Sequence, residues 1–204
     1  MGLFIVFEGI DGSGKTTQAK KLYHYLKEKN LKTVLTKEPG GTEEGKKIRE
    51  ILLNKDYSIP PIAELLLYEA DRSIHINNFV KPKLNNNFIV ISDRYIYSTL
   101  AYQHFGRGIE RRIIDFLNSI TTGDLIPDIV FLFDIPVEES LRRLNRFEKD
   151  RIEKESIDFH KKLREGFLKL AKENEEIFYL IDATKSIEDI FRDIKNILNI
   201  RFNI

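Results

Sequence analysis

Apolar residues gather in five short runs, at residues 3–7, 33–36, 88–91, 129–133 and 178–181. Runs this short, rich in β-branched and aromatic side chains, suit strands buried on both faces, as in a parallel sheet. Between them the spacing turns helical. After Gly14, Ala19, Leu22 and Leu26 recur on one face while Lys20, Lys21 and Lys27 fall largely elsewhere. A second helix is predicted from near Thr42, where Glu43 and Glu44 place negative charge in a first turn. Pro60 and Pro61 introduce a third through Leu65, Leu66, Leu67 and Ala70, which should stop before Lys81-Pro82 because the residue preceding a proline avoids the helical region. Further helical stretches are predicted at 98–104, 109–120 and 155–174, with Pro136 opening another, and Ser186-Ile187-Glu188-Asp189 has the form of a capping box opening the last. Alternation of strand and helix predicts an α/β fold in one domain over residues 1–204. Its parallel sheet should be covered on both faces and bind ligand at the carboxyl ends of the strands.

Composition narrows the chemistry. Of 204 residues, 42% are hydrophobic and 32% charged, which suits a globular chain with one core and a wet surface. Lys and Arg number 33 against 32 Asp and Glu, so the net charge of +1 gives no general attraction to nucleic acid or anionic lipid, and no partner of either kind is expected. Any anion site must be local. With no Cys, disulfides, thiolate metal sites and Cys nucleophiles are excluded. The first residues lack the basic and long apolar regions of a secretory signal, so the cytoplasm is the expected compartment.

Such a local site stands at Gly9-Ile10-Asp11-Gly12-Ser13-Gly14-Lys15-Thr16, which matches G-x-x-x-x-G-K-[ST] between the first apolar run and an amphipathic helix. Glycines let backbone N–H groups converge on phosphate oxygens, and the following helix N-terminus adds positive potential. Lys15 reaches the β- and γ-phosphates, and Thr16 offers a hydroxyl to Mg²⁺. The loop alone leaves GTPase, motor ATPase and small-molecule kinase open. A guanine-reading N-K-x-D is lacking: Asn54-Lys55-Asp56-Tyr57 is one residue out of register. After the third apolar run, Asp93 supplies a second carboxylate for the metal or its waters. Arg94, directly following, is placed to hold a second phosphate, which suits transfer between two phosphorylated nucleotides.

These motifs together resemble the thymidylate kinase family along nearly the whole chain. Residues 7–18, including Thr17 and Gln18, are similar to that family's phosphate loop; Lys37-Glu38-Pro39-Gly40-Gly41-Thr42 is similar to its R-E-P-G-G-T segment; and Asp93-Arg94-Tyr95-Ile96-Tyr97-Ser98-Thr99-Leu100-Ala101-Tyr102-Gln103 resembles its D-R-[YH]-x-x-S-x-x-A-[YF] signature. The resemblance implies a phosphate-loop NTPase fold with five parallel strands and a small lid. Its activity would be transfer of the γ-phosphoryl group of ATP to thymidine monophosphate with Mg²⁺, in a homodimer. A kinase of another nucleoside monophosphate or a deoxynucleoside, or a nucleotide-binding switch, are the alternatives to be separated from it.

The resemblance also distributes roles. Tyr68 and Arg72 fit the family's aromatic-to-arginine spacing for stacking on the thymine and bonding its carbonyl, and one helical turn sets both on one face. Tyr102 falls where the family places a ring against the deoxyribose, and Thr99 where a small polar residue approaches the base. Asp11, Glu38, Pro39, Arg94 and Gln103 complete the implied acceptor site, and residues 9–17 the ATP site, with Thr16 and Asp93 toward the metal. Two departures stand out: Lys37 replaces the usual Arg, and Gly12 occupies the slot where some members carry a loop arginine. Compensating cations are then expected from a basic lid at residues 142–151. Arg146 and Arg142 are favoured because four-residue spacing groups them, whereas Arg143 points about 100° from Arg142. An arginine installed at position 12 is expected to restore part of a lost lid charge, and Arg164 to face either the site or a surface partner.

Overall fold

The structure is a computed structural model that describes residues 2–144 and 150–204. Five strands, β1 (Leu3–Glu8), β2 (Thr33–Lys37), β3 (Ile89–Asp93), β4 (Ile129–Asp134) and β5 (Phe178–Asp182), form one parallel sheet in the order β2-β3-β1-β4-β5. Phe4, Ile5, Val6 and Phe7 are all buried, as are Ile129 to Phe133. Successive strand residues face opposite sides, so burial of every one means that both faces are covered. Each strand runs past its apolar stretch to end on a charged residue: Glu8, Lys37, Asp93, Asp134 and Asp182. Charge therefore collects at the carboxyl edge. β1 lies centrally, and its neighbours β3 and β4 lead to opposite halves of the sheet, making the end of β1 a topological switch point.

Helix α1 (Lys15–Glu28) buries Ala19, Leu22 and Leu26. Removing each leucine side chain from water stabilises the fold by roughly 1.5–3 kcal/mol. Thr42 caps α2 (Glu43–Leu53) by accepting from the Gly45 N–H at 3.0 Å, and Pro61 opens α3 (Pro61–His75). The expected stop before Lys81-Pro82 is overturned. The chain stays helical through a π-turn at Ile76–Val80 into α4 (Lys81–Asn85), and Lys81 N–H bonds the Ile76 carbonyl five residues back. That wider turn relieves the ring–carbonyl conflict that a proline otherwise imposes on an α-helix. Then follow α5 (Ile96–Thr99), a second π-helical stretch at Leu100–Gly106, α6 (Arg111–Thr122), α7 (Val137–Leu144), α8 (Ile157–Glu173) and α9 (Ile187–Phe202), the last capped by Ser186. No helix among the described residues is long and apolar enough to cross a membrane.

Candidate active site

The loop after β1 turns at Gly9 and Gly12, where φ is +137° and +74°. A Cβ on Gly9 would lie 2.6 Å from the Phe133 carbonyl, so only glycine lets the loop lie this close to β4. Lys15 starts α1 and folds back, its Nζ donating to the Ile10 carbonyl at 2.7 Å and the Ser13 hydroxyl at 3.3 Å. Burial and the Arg94 charge pull Lys15 down to about 8 against the carboxylates of Asp11, Asp93 and Glu8. Thr16 donates its hydroxyl to Asp93 Oδ2, so these two oxygen groups meet between the first turn of α1 and the end of β3. Above them opens a cleft of about 880 Å³ lined by loop residues 11–17, Lys37, Arg142 and Arg143, with Thr184, Lys185 and Ile187 closing its far end.

Arg94 stands at φ +79°, a left-handed backbone that is rare for a side chain of this size. Its N–H bonds the Phe7 carbonyl at 2.9 Å and its carbonyl accepts from Ser92 Oγ at 2.8 Å, so both neighbouring strands fix the bend. The guanidinium donates to the Gly9 carbonyl at 3.0 Å and Ser98 Oγ at 2.9 Å through Nη1. Through Nη2 it reaches Asp11 and, at 3.2 Å, the Tyr102 hydroxyl. Tyr102 donates to Asp11 at 2.7 Å. Burial would push the Asp11 carboxyl up, but Arg94 and Lys15 outweigh it and hold Asp11 well below the usual range, hence ionised.

Beside the cleft lies a narrower pocket of about 70 Å³ whose walls include Pro39, Tyr68, Arg72, Thr99, Tyr102 and Gln103. Arg72 is 2% exposed. Its Nε donates to Glu38 at 2.9 Å, Nη1 to Glu69 at 2.5 Å and Asn118 at 2.9 Å, and Nη2 to the Tyr95 carbonyl at 3.3 Å. Four of its five N–H groups are thereby engaged from α3, α6 and the chain after β2 and β3. Burial opposes ionisation of Glu38, yet Arg72 and His75 hold its carboxyl below the usual value. His75 bridges Glu38 at 2.9 Å and Thr36 at 2.6 Å. Gln103 donates to buried Glu64, which also pairs with Arg107 at 3.1 Å and Arg151 at 2.5 Å. Asp11, Glu38, Arg49 and Arg94 line both cavities and form the wall between them.

The structure thus gathers Asp11, Glu38, Pro39, Tyr68, Arg72, Arg94, Thr99, Tyr102 and Gln103 around one pocket and loop residues 11–17 with Asp93 around the other, while Gly9 and Ile10 line neither of these two cavities. Among the lid residues, Arg146 lies outside the described residues. Arg142 forks onto Glu139 at 2.7 and 2.8 Å. Glu139 also accepts from Arg143 at 3.0 Å; lying three residues before one arginine and four before the other, it is flanked by both, as a separation of about 100° on the helix allows, and both arginines line the cleft. A Cβ at position 12 would come within 2.8 Å of the Ser140 carbonyl at positive φ, so an arginine there requires the loop or α7 to shift. Arg164 forks onto Asp134 at 2.6 and 2.9 Å and lines neither of the two cavities. Arg49, Lys185 and Ile187 were missed from the sequence. They reach the cavities from helices and loops with no local motif of their own.

A family model described as thymidylate kinase matches residues 7–194. The chain belongs to the thymidylate kinase family. It is 56% identical over 202 residues to the thymidylate kinase of Sulfurihydrogenibium sp., covering 98% of both chains, and 48% identical to that of Carboxydothermus hydrogenoformans over 97% of both. The crystal structure of thymidylate kinase from Ehrlichia chaffeensis superposes with a TM-score of 0.81 at 35% identity, covering 97% of this chain and 98% of that one. Membership in the thymidylate kinase family makes this chain an enzyme, a nucleoside monophosphate kinase, and the expected phosphate-loop fold is the one observed.

Proposed function

We propose that this enzyme transfers the γ-phosphoryl group of ATP to thymidine monophosphate across the wall formed by Asp11, Glu38, Arg49 and Arg94, giving ADP and thymidine diphosphate. The shared wall is the observation that carries this reading, because it lets one nucleotide in each cavity bring its phosphates to a common point. Residues 9–17 take the ATP phosphates, with Lys15 released from Ile10 to follow the β,γ-bridge. Arg94 takes the acceptor phosphate, an oxygen of which is ionised near neutral pH and attacks in line without a strong general base. Tyr68 stacks on the base. The remaining N–H of Arg72 meets a base carbonyl, and a group with only donors rejects an amino group there, which favours thymine over cytosine. Tyr102, fixed through its hydroxyl by Asp11 and Arg94, sits against the sugar, with Thr99 and Gln103 completing the pocket.

Thr16 and Asp93 would hold Mg²⁺. Among the described residues no cluster of three or more His, Asp or Glu could cage an ion, and a hydroxyl with one carboxylate at a phosphate cleft suits a cation that keeps waters and phosphate oxygens as its other ligands. When bound, Mg²⁺ supplies neutralisation of charge on the β- and γ-phosphates. Residues 142–151 act as a lid of the single domain, with Arg142 and Arg146 supplying further cations. The chain works in the cytoplasm as a homodimer through α3 and α6, whose Ile62, Leu66, Phe116 and Ile120 are 50–66% exposed, an apolar face that a second copy would cover. A coupled assay of ADP release across the common nucleoside monophosphates tests the function. Thymidine monophosphate should be the best acceptor. Preference for another monophosphate would replace the substrate, and nucleotide binding without acceptor-dependent turnover would replace the class.

A further inference from the structure

Glu8, the last residue of β1, is 0% exposed and lines neither cavity, although it immediately precedes the phosphate loop. A carboxylate in such a place is costly unless its oxygens are engaged. Here Oε1 accepts from the N–H groups of Tyr95 at 2.9 Å and Ser98 at 3.1 Å, and Oε2 from the Ser98 hydroxyl at 2.6 Å. Two backbone bonds alone would need only a neutral amide. The third has a directional consequence, since a hydroxyl has one proton. Ser98 gives it to Glu8 and so turns its lone pairs toward Arg94 Nη1, 2.9 Å away.

We propose that Glu8 is a positioning residue for phosphoryl transfer: through Ser98 it fixes the polarity and place of the Arg94 guanidinium in the wall between the two cavities. This rests on the reading of Arg94 as the cation of the acceptor phosphate. The main chain supports the same arrangement. Arg94 to Ser98 are tied to the end of β1 at three points, the Phe7 carbonyl and the two oxygens of Glu8, and the left-handed bend at Arg94 lies within that stretch. A glutamine at position 8 keeps the shape and the two backbone bonds. Its amide then donates where Oε2 accepted, so the Ser98 proton loses its fixed acceptor and the lone pairs facing Arg94 lose their set direction. Arg94 retains the Gly9 carbonyl, Asp11 and Tyr102, so the loss is of alignment rather than of binding altogether.

The test compares Glu8→Gln, Ser98→Ala, the double variant and Arg94→Ala in steady-state kinetics with ATP and thymidine monophosphate varied separately, alongside thermal melting. Glu8→Gln should raise the acceptor KM about tenfold, the size of one charge-assisted hydrogen bond, with the ATP KM changed less than about twofold. Ser98→Ala should do the same, and the double variant should be no worse than either, because one link is cut twice. Should Glu8→Gln fail to fold, Ser98→Ala breaks the same link from the other side and carries the test. An unchanged acceptor KM in the single variants, equal losses for both substrates, or additive losses in the double variant would overturn the assignment. If Arg94→Ala raises the acceptor KM while the Glu8 and Ser98 variants do not, Glu8 alone is wrong. If Arg94→Ala leaves the acceptor KM unchanged, the role of Arg94 falls and the assignment of Glu8 with it.

Discussion

The cleft over the phosphate loop is lined largely by main chain and exposed cations, whereas the neighbouring acceptor pocket is lined by side chains whose charges are already paired inside the protein. In the cleft, Thr16, Thr17, Lys37 and Arg142 face solvent and little of the core depends on them. In the pocket, Arg72, Glu38, Glu69 and Asn118 form one buried network drawn from three segments far apart in sequence. The first region is built from main chain and cations suited to phosphate. The second can be selective because its polar groups have fixed directions, and misplacing one leaves others unsatisfied. On the proposed assignment, recognition of the acceptor is tied to stability, while recognition of the donor is mostly free of it.

The sharpest separation should come from Arg72→Ala. It strands the buried carboxylates of Glu38 and Glu69, so urea unfolding should register a loss of about 3–5 kcal/mol, besides poor acceptor use. Wild-type stability would erase the distinction between the regions. Lys15→Met should do the reverse, lowering turnover by about 10²–10³-fold, as removal of a preorganised charge does, with the melting temperature nearly kept. Transfer at the parental rate with saturating substrates would remove Lys15 from catalysis.

A third comparison uses pH. Burial pushes the Glu8 carboxyl up to about 7, against the opposing charges of Arg94 and Lys15. Between an unfolded value near 4.5 and that folded value the native state binds the extra proton, so the parent should lose stability as pH rises through this window and level off above it. Glu8→Gln lacks the effect. Its stability relative to the parent should therefore grow by roughly 3 kcal/mol between pH 4.5 and 8. Taking the difference cancels the similar contribution of Asp71, which burial and Glu38 raise to about 6. A pH-independent difference would place the Glu8 charge elsewhere.

Tyr68→Ala should raise the acceptor KM by the equivalent of about 1–3 kcal/mol of stacking while sparing ATP. Equal losses for both nucleotides would mean a packing defect. Smallest of all, Arg142→Ala should leave the melting temperature unchanged, because its partner Glu139 is also at the surface. Any effect should appear in turnover and be smaller than that of Lys15.

How far the sequence was readable follows the same division. The strands, the phosphate loop and the Asp93-Arg94 pair are local, each a run or a motif within a dozen residues, and their positions agree with the structure to within one or two residues. Tyr68 and Arg72, which line the narrower pocket, were singled out only through family resemblance, since one helical turn says nothing of what lies opposite. Asn118 and Glu69 on Arg72, or Arg107 and Arg151 on Glu64, belong to contacts that no spacing announces. The helix end misplaced at Pro82 has a different cause. Proline rules describe regular α-helix, and a π-turn upstream changes the register on which they rest.

Strand order also governs how the molecule is born. β1 emerges first from the ribosome but occupies the middle of the sheet, and both its partners, Ile89–Asp93 and Ile129–Asp134, are made much later. At roughly 5–20 residues per second, the nascent Phe4–Phe7 stretch waits several seconds with both edges open. The loop that will bind nucleotide is likewise translated early and shaped late, since Arg94 and the Phe133 carbonyl against which Gly9 packs come from those strands. Truncated chains ending before β4 should hold the complete phosphate-loop motif yet bind no nucleotide, and the apolar start of the chain is where a chaperone would be needed.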